Sequence, residues 1–287
     1  MAKGSMPKSL TQDIGDADLA YLLYEGDGPV IMLMHATGFS PWLWHPIARE
    51  LAPRWRVIAP YFCDHRETDP EKGGLSWLTV SEDLARFCTL LALDRPALVG
   101  HSMGATIITL AHAKFGLKAR GLILIEPIFF PKDLYKIRIT LEQHPLASKS
   151  IRRRERWSNR EEAQAYLLSK SLFKDWDAEM LELYIDHGMK EAEGGGLQLT
   201  CSPRREASLF MGSAEYDPWP LLPQVTCPTL ILEGEESPNR GFIDLQMATS
   251  AIPKSTYRMI SHAGHLIPME NPKLTLNIIE EFVGSLR

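Results

Sequence analysis

The stretch Leu98-Val99-Gly100-His101-Ser102-Met103-Gly104-Ala105 constrains this chain more than any other. A short apolar run, Ala97 to Val99, stops at Gly100, and apolar residues at helical spacing resume from Ile107. One serine stands between two glycines, each two positions away. A strand that becomes a helix within so few residues needs a sharply bent backbone, and side chains at Gly100 and Gly104 would collide with neighbouring backbone. The same bend lifts the Ser102 hydroxyl clear of a sheet. It also leaves the Met103 N–H at a helix N-terminus, where a developing negative charge is stabilised. The plainer alternative is a tight strand–helix turn whose serine only caps the helix.

The flanking chain alternates strand and helix. Asp18 to Glu25 reads as a strand and Gly26-Asp27-Gly28 as a turn, which makes this first strand antiparallel to the next. Pro29 to Met34, Trp55 to Pro60, Ala97 to Gly100 and Gly121 to Ile125 are short, nearly unbroken apolar runs, the mark of strands buried on both faces. Ser40-Pro41 opens a helix with Leu43, Ile47 and Leu51 at spacing four. Thr79-Val80-Ser81-Glu82 reads as a capping box before a helix with Val80, Leu84, Phe87 and Leu91 on its apolar face. From about residue 131 the rhythm breaks. Ile137 to Gln143, Arg160 to Leu172, Ala178 to Met189 and Pro203 to Met211 are helical by pattern, with no buried strand between them and a flexible break at Gly194-Gly195-Gly196. Sheet rhythm returns at Cys227 to Leu232 and Thr256 to Ile260, and a final helix starts at Asn271-Pro272. The pattern predicts an α/β fold, a mostly parallel central sheet with helices on both faces. The core comprises residues 1–130 and 221–287, and a helical cap is inserted at 131–220.

Bulk properties exclude several classes of function. With 287 residues and 45% hydrophobic content the chain can bury one large core, and a net charge of −5 offers no broad basic field for nucleic acid or anionic lipid. No apolar run reaches the ~20 residues that span a bilayer. The N-terminal residues lack the apolar stretch of a signal peptide, and Met1 to Met6 reads as an added leader. Cys63, Cys88, Cys201 and Cys227 are too scattered for metal-ligand spacing, so reduced thiols and a cytoplasmic protein are expected, with Cys88 and Cys227 in the core. No phosphate loop is present, and Asp64-His65-Arg66 is too sparse for a metal site. The expected partner is a small-molecule substrate, with no cofactor or metal, no nucleic acid and no membrane.

A serine hydroxyl needs a base to act as a nucleophile at neutral pH. Ser261-His262-Ala263-Gly264-His265-Leu266 follows the last predicted strand, at the sheet end where open α/β folds gather functional groups. With Gly100 to Gly104, His35-Ala36-Thr37-Gly38-Phe39 and Ala263-Gly264-His265 through Glu270-Asn271-Pro272, the chain resembles the α/β-hydrolases over residues 18–287, the cap matching in position and helical character. The resemblance implies a nucleophile elbow at Ser102, with His265 as general base. His262 is the competing base. It also implies an oxyanion hole from the backbone N–H groups of Thr37 and Met103. The usual His-Gly pair is His35-Ala36 here, which leaves the backbone donors in place, and His35 is expected to be a structural hydrogen-bonder.

The third partner is less direct. The family usually places an Asp three residues past a Gly after the cap. Here that position, in Leu232-Glu233-Gly234-Glu235-Glu236-Ser237, is Ser237, which cannot be the acid. Glu126, at the tip of the strand after the elbow, is the expected acid, as in some family members; Glu236, Glu235 or a Ser–His dyad are the alternatives. A carboxylate ending an all-apolar strand needs a partner.

Haloalkane dehalogenases and epoxide hydrolases of the family carry Asp where this chain has Ser102. The resemblance therefore implies attack on a carbonyl: a serine hydrolase, esterase-like, acting on a small, largely apolar ester or related acyl substrate through an acyl-enzyme. A carbon–carbon hydrolase of diketone-type ring-cleavage products, a perhydrolase or a ligand receptor without turnover are the rivals. Phe129, Phe130, Trp157, Trp176 and Trp219, with Trp42 and Trp44, either line an apolar pocket or pack the cap itself. Arg152-Arg153-Arg154-Glu155-Arg156 is either a solvated helix face or a guide for an anionic substrate.

Overall fold

The apolar runs form the strands they predict, and their side chains divide by parity between two helix layers. In a computed structural model, which describes residues 6–286, the strands are β1 (Lys8–Asp13), β2 (Asp18–Tyr24), β3 (Val30–Met34), β4 (Arg56–Pro60), β5 (Ala97–His101) and β6 (Gly121–Ile125), followed after the cap by β10 (Thr229–Gly234) and β11 (Ser255–Ile260). Residues 1–5 of the expected leader lie outside the described residues. The eight strands make one sheet in the order β1-β2-β4-β3-β5-β6-β10-β11. Its β1–β2 and β2–β4 pairs are antiparallel and the rest are parallel. β2 is thus antiparallel to β4, not paired with the strand that follows it.

Along β3, Ile31 and Leu33 face one layer and Met32 and Met34 the other, as a pleated strand requires. On the first side pack α1 (His45–Leu51) and α9 (Pro272–Ser285), through Ile47, Leu51, Ile278 and Val283. On the second side pack α2 (Trp77–Leu90), α3 (Met103–Phe115) and α8 (Leu245–Ala251), through Val80, Leu84, Phe87, Ile107 and Leu245. α2 begins two residues before the expected capping box. Its cap is Ser76, whose hydroxyl accepts the Leu78 N–H, and Trp77 supplies the first buried contact. All four cysteines are buried and free. No helix among the described residues is long and apolar enough to cross a membrane.

Between β6 and β10 lie α4 (Ala147–Ser150), α5 (Arg160–Leu168), α6 (Ala178–Gly188) and α7 (Pro203–Met211). Asn159 and Ser202 cap α5 and α7 through their side chains, as expected. The stretch 137–143 is not helical; a 3₁₀ turn covers Lys132–Lys136 instead. The segment expected to be helical also holds short strands, mostly exposed or half-buried. β7 (Arg156–Trp157), β8 (Met189–Glu191) and β9 (Leu197–Leu199) form a small antiparallel sheet in the order β7-β9-β8. Gly194-Gly195-Gly196, all at positive φ, turns β8 into β9.

Hydrogen bonds to the backbone help to fix the segment to the sheet-bearing part. The Leu75 N–H donates to Ser208 O (3.0 Å) and the Trp77 indole N–H to Leu209 O (2.8 Å), which docks α7. The Asp177 N–H donates to Met269 O (2.8 Å), which docks the start of α6 beside the loop after β11.

Candidate active site

Strand register sets the level of the site. β5 and β6 pair His101 with Ile125, and β10 and β11 pair Gly234 with Ile260, so Ser102, Glu126 and the loop after β11 emerge at one end of the sheet. The Ser102 N–H donates to Ile125 O and the Glu126 N–H to Leu232 O, each at 2.8 Å, which carries the ladder one residue beyond both strands. Ser102 (φ 54°) and Glu126 (φ 51°) both sit at positive φ, where a residue with a side chain is strained.

The glycines of the elbow have the predicted steric role. A Cβ on Gly100 would lie 2.5 Å from the Ala105 nitrogen and from the Gly104 carbonyl. A Cβ on Gly104 would lie 2.5 Å from Met34 O and 2.8 Å from His35 O. Gly104 therefore lets the end of β3 approach the first turn of α3. The loop carrying Thr37 follows directly from this end of β3. The Met103 N–H opens α3 and has no acceptor within the helix, and the Thr37 N–H makes no hydrogen bond among the described residues. Gly38, at φ +76°, completes the turn in which the Phe39 N–H donates to Ala36 O.

A hydrogen-bonded relay runs through the site. His265 Nε2 is 3.0 Å from Ser102 Oγ, and His265 Nδ1 is 2.8 Å from Glu126 Oε2. Glu126 is 1% exposed, so its carboxylate depends on the donors around it. The Gly234 N–H reaches Oε1 and the Ser237 hydroxyl reaches Oε2, both at 2.7 Å. The remaining candidate acids lie elsewhere. Glu236 faces solvent 3.8 Å from His262, itself 91% exposed in its side chain. Glu235 accepts the His262 N–H. Neither carboxylate joins the relay, and His262 does not reach Ser102.

Two residues that sequence reasoning left without a role hold the base. His101 Nε2 donates to the His265 carbonyl at 2.8 Å, and burial, then the neighbouring His265, pushes the His101 imidazole down to about 3. His101 is therefore a neutral strut between the elbow and the loop of His265. Glu270 accepts the Gly264 N–H (2.6 Å) and the Leu266 N–H (3.1 Å), which brackets His265 from both sides. The motif at Glu270-Asn271-Pro272 could have flagged the first of these carboxylate contacts; Asn239, 3.0 Å from His265 Nδ1, had no local signal.

Phe39 packs edge-on to Trp176 with ring centres 5.5 Å apart, in a cluster with Leu43, Tyr184, Leu266 and Met269. Trp42 stacks on His187 of the cap. The other flagged aromatics divide. Phe129 and Trp44 are core, Trp219 donates to Phe130 O, and Trp157 packs on Tyr166. The basic stretch is not a helix face. Arg153 turns inward to Glu206 (3.1 Å) and Arg154 pairs with Glu162.

Comparison with known proteins bears on the family. The model of the alpha/beta hydrolase family matches residues 30–278. The 2-(acetamidomethylene)succinate hydrolase of Mesorhizobium japonicum is 24% identical over 91% of this chain and 90% of its own. A crystal structure of E-2-(acetamidomethylene)succinate hydrolase superposes with a TM-score of 0.81, at 23% identity, over 97% of this chain and all of the other. An esterase from Thermogutta terrifontis superposes at 0.70, with 24% identity, over 98% and 99% of the two chains. Sheet order, elbow and sequence match together place the chain in the alpha/beta hydrolase family, as a hydrolase.

Proposed function

We propose that the protein is a serine hydrolase that cleaves a small, largely apolar ester or related acyl substrate through an acyl-enzyme. The observation that carries this reading is the relay Ser102 Oγ–His265 Nε2 (3.0 Å) and His265 Nδ1–Glu126 Oε2 (2.8 Å) beside two free backbone donors. Ser102 Oγ attacks the carbonyl carbon while His265 Nε2 takes its proton. Glu126 fixes the tautomer and stabilises the imidazolium. The carbonyl oxygen, now an anion, accepts from Thr37 N–H and Met103 N–H. The imidazolium protonates the leaving group. Water then enters, His265 takes its proton, and the acyl group departs as a carboxylic acid, restoring Ser102. The apolar cluster of Phe39, Trp176 and Leu266, which holds the neighbour of His265, supports a largely apolar substrate. The hydrolase and esterase names of the two similar proteins agree with acyl-transfer chemistry.

The test uses p-nitrophenyl esters of graded acyl length and a fluorophosphonate probe. Wild-type protein turns over the short esters and is labelled at Ser102, and Ser102→Ala does neither. Absence of turnover at every acyl length together with absence of labelling overturns the reading and favours a binding protein on the same fold.

A further inference from the structure

His265 Nδ1 has two neighbours. Glu126 Oε2 is at 2.8 Å, and the side-chain amide of Asn239 is at 3.0 Å. If Nε2 is to accept the Ser102 proton, Nδ1 must carry a hydrogen, so both of its neighbours must accept. The carboxylate does. An amide NH₂ cannot, but the amide oxygen can, and a half-turn of the amide exchanges Oδ1 and Nδ2 without changing its shape. Resting on the reading of Ser102 and His265 as nucleophile and base, the geometry points to Asn239 as a positioning residue whose side-chain oxygen is a second acceptor for His265 Nδ1–H.

The backbone of Asn239 is held from both sides. Its N–H donates to Ser237 Oγ (3.3 Å), and its carbonyl accepts from Phe242 N–H (3.0 Å) and Ile243 N–H (2.8 Å). The Ser237 hydroxyl thus accepts from Asn239 while donating to Glu126 Oε2, and one group sets the position of both acceptors. Glu126 Oε2 accepts from both the Ser237 hydroxyl and the imidazole, and the Asn239 amide lies on the same Nδ1. Asn239 adds a second acceptor for Nδ1–H beside the carboxylate.

Two substitutions of similar size separate acceptor from shape. Asn239→Leu removes the acceptor, and Asn239→Asp keeps one; the backbone hydrogen bonds of residue 239 survive in both. With a short p-nitrophenyl ester on the alkaline plateau, Asn239→Leu lowers kcat about three- to tenfold, the worth of a neutral hydrogen bond, with KM unchanged. Asn239→Asp stays within about twofold of wild type, because its carboxylate supplies an acceptor at least as strong.

The second readout needs no turnover. The Nδ1–H proton resonance of His265, assigned by its loss in His265→Gln, stays sharp in Asn239→Asp and broadens by solvent exchange in Asn239→Leu. Wild-type kcat and a sharp resonance in Asn239→Leu overturn the proposal, as does an Asn239→Asp that falls as far as Asn239→Leu. Broadening confined to Asn239→Leu in a protein that hydrolyses no ester upholds the positioning role and overturns the functional reading instead.

Discussion

Ser237 donates its hydroxyl to Glu126 Oε2 at 2.7 Å. The residue at the position where the resemblance leads one to expect the acid thus serves the carboxylate proposed in its place. Glu126 begins one strand nearer the elbow, and its longer side chain reaches the same Nδ1 of the imidazole. On the proposed reading the relay is anchored at the tip of β6, with the loop after β10 supplying Ser237 and Gly234 as donors.

Glu126→Gln removes the charge and keeps the shape. Loss of a carboxylate that fixes the tautomer lowers kcat by about 10²–10⁴-fold, while Glu236→Gln, at an exposed site, leaves it unchanged. Because Ser237 Oγ lies beside Oε2, the double variant Glu126→Gln with Ser237→Asp returns an acid near Nδ1 and recovers part of the loss. Steady-state kinetics on one p-nitrophenyl ester decides both points. A Glu236→Gln defect as deep as that of Glu126→Gln refutes the assignment.

The parts of the site that lie in short local patterns were legible in the sequence, namely Ser102 in its elbow and His265 in its loop. Glu126 was legible only as one of several acids, because its partners Gly234, Ser237 and His265 are more than 100 residues away. Asn239 carries no pattern, since its role exists only once the loop after β10 folds beside His265. In the fold, the buried strands announced themselves by apolar runs. β1 did not, because its residues are mostly exposed and its pairing with β2 is a sheet-edge contact. The small cap sheet escaped for another reason: strands of two or three residues are too short to show a period.

The elbow glycines predict a stability cost. A Cβ on Gly104 meets the Met34 and His35 carbonyl oxygens at 2.5 and 2.8 Å, and backbone at a strand end cannot give way as a side-chain tip can. Gly104→Ala destabilises the fold by about 1–3 kcal/mol and lowers kcat by pushing the Thr37 and Met103 donors apart. Urea unfolding with parallel kinetics checks it. An alanine variant with wild-type stability and kcat contradicts the close approach.

Gly38 brings the loop of Thr37 against α7. Its φ is +76°, and a Cβ there would sit 2.0 Å from Glu206 Oε1. Glu206 is buried on α7, where the Ser150 hydroxyl and Arg153 hold it; burial raises its carboxyl above the ordinary range against the pull of Arg153. Gly38→Ala therefore displaces either the loop or the carboxylate and lowers kcat/KM about tenfold or more. Gly73→Ala serves as control: it too has positive φ, but a Cβ there meets no neighbour, so it strains backbone without touching the site. Equal effects of the two substitutions on kcat/KM mean that Gly38 matters only for local strain.

Buried imidazoles predict an acid-sensitive fold. His35 donates from Nδ1 to Ala36 O (2.8 Å) and accepts the Phe62 N–H at Nε2 (3.0 Å), so a second proton would leave two donors facing each other. Burial pushes His35 down to about 4 and His101 down to about 3, against 6.5 for an ordinary histidine. Between those values and 6.5 the unfolded chain binds protons that the folded one refuses. Stability from these groups is complete above about pH 6.5 and declines as pH falls toward 4 and 3, each group contributing at most about 1.4 kcal/mol per pH unit. Urea unfolding across this range measures the slope. In His35→Gln the side-chain oxygen still accepts the Phe62 N–H but cannot titrate. That variant is less stable than wild type at pH 8 and loses less stability between pH 6.5 and 4, so the two curves converge. Curves that stay parallel through that window mean that His35 titrates in the folded protein as it does in the unfolded chain, which its two hydrogen bonds forbid.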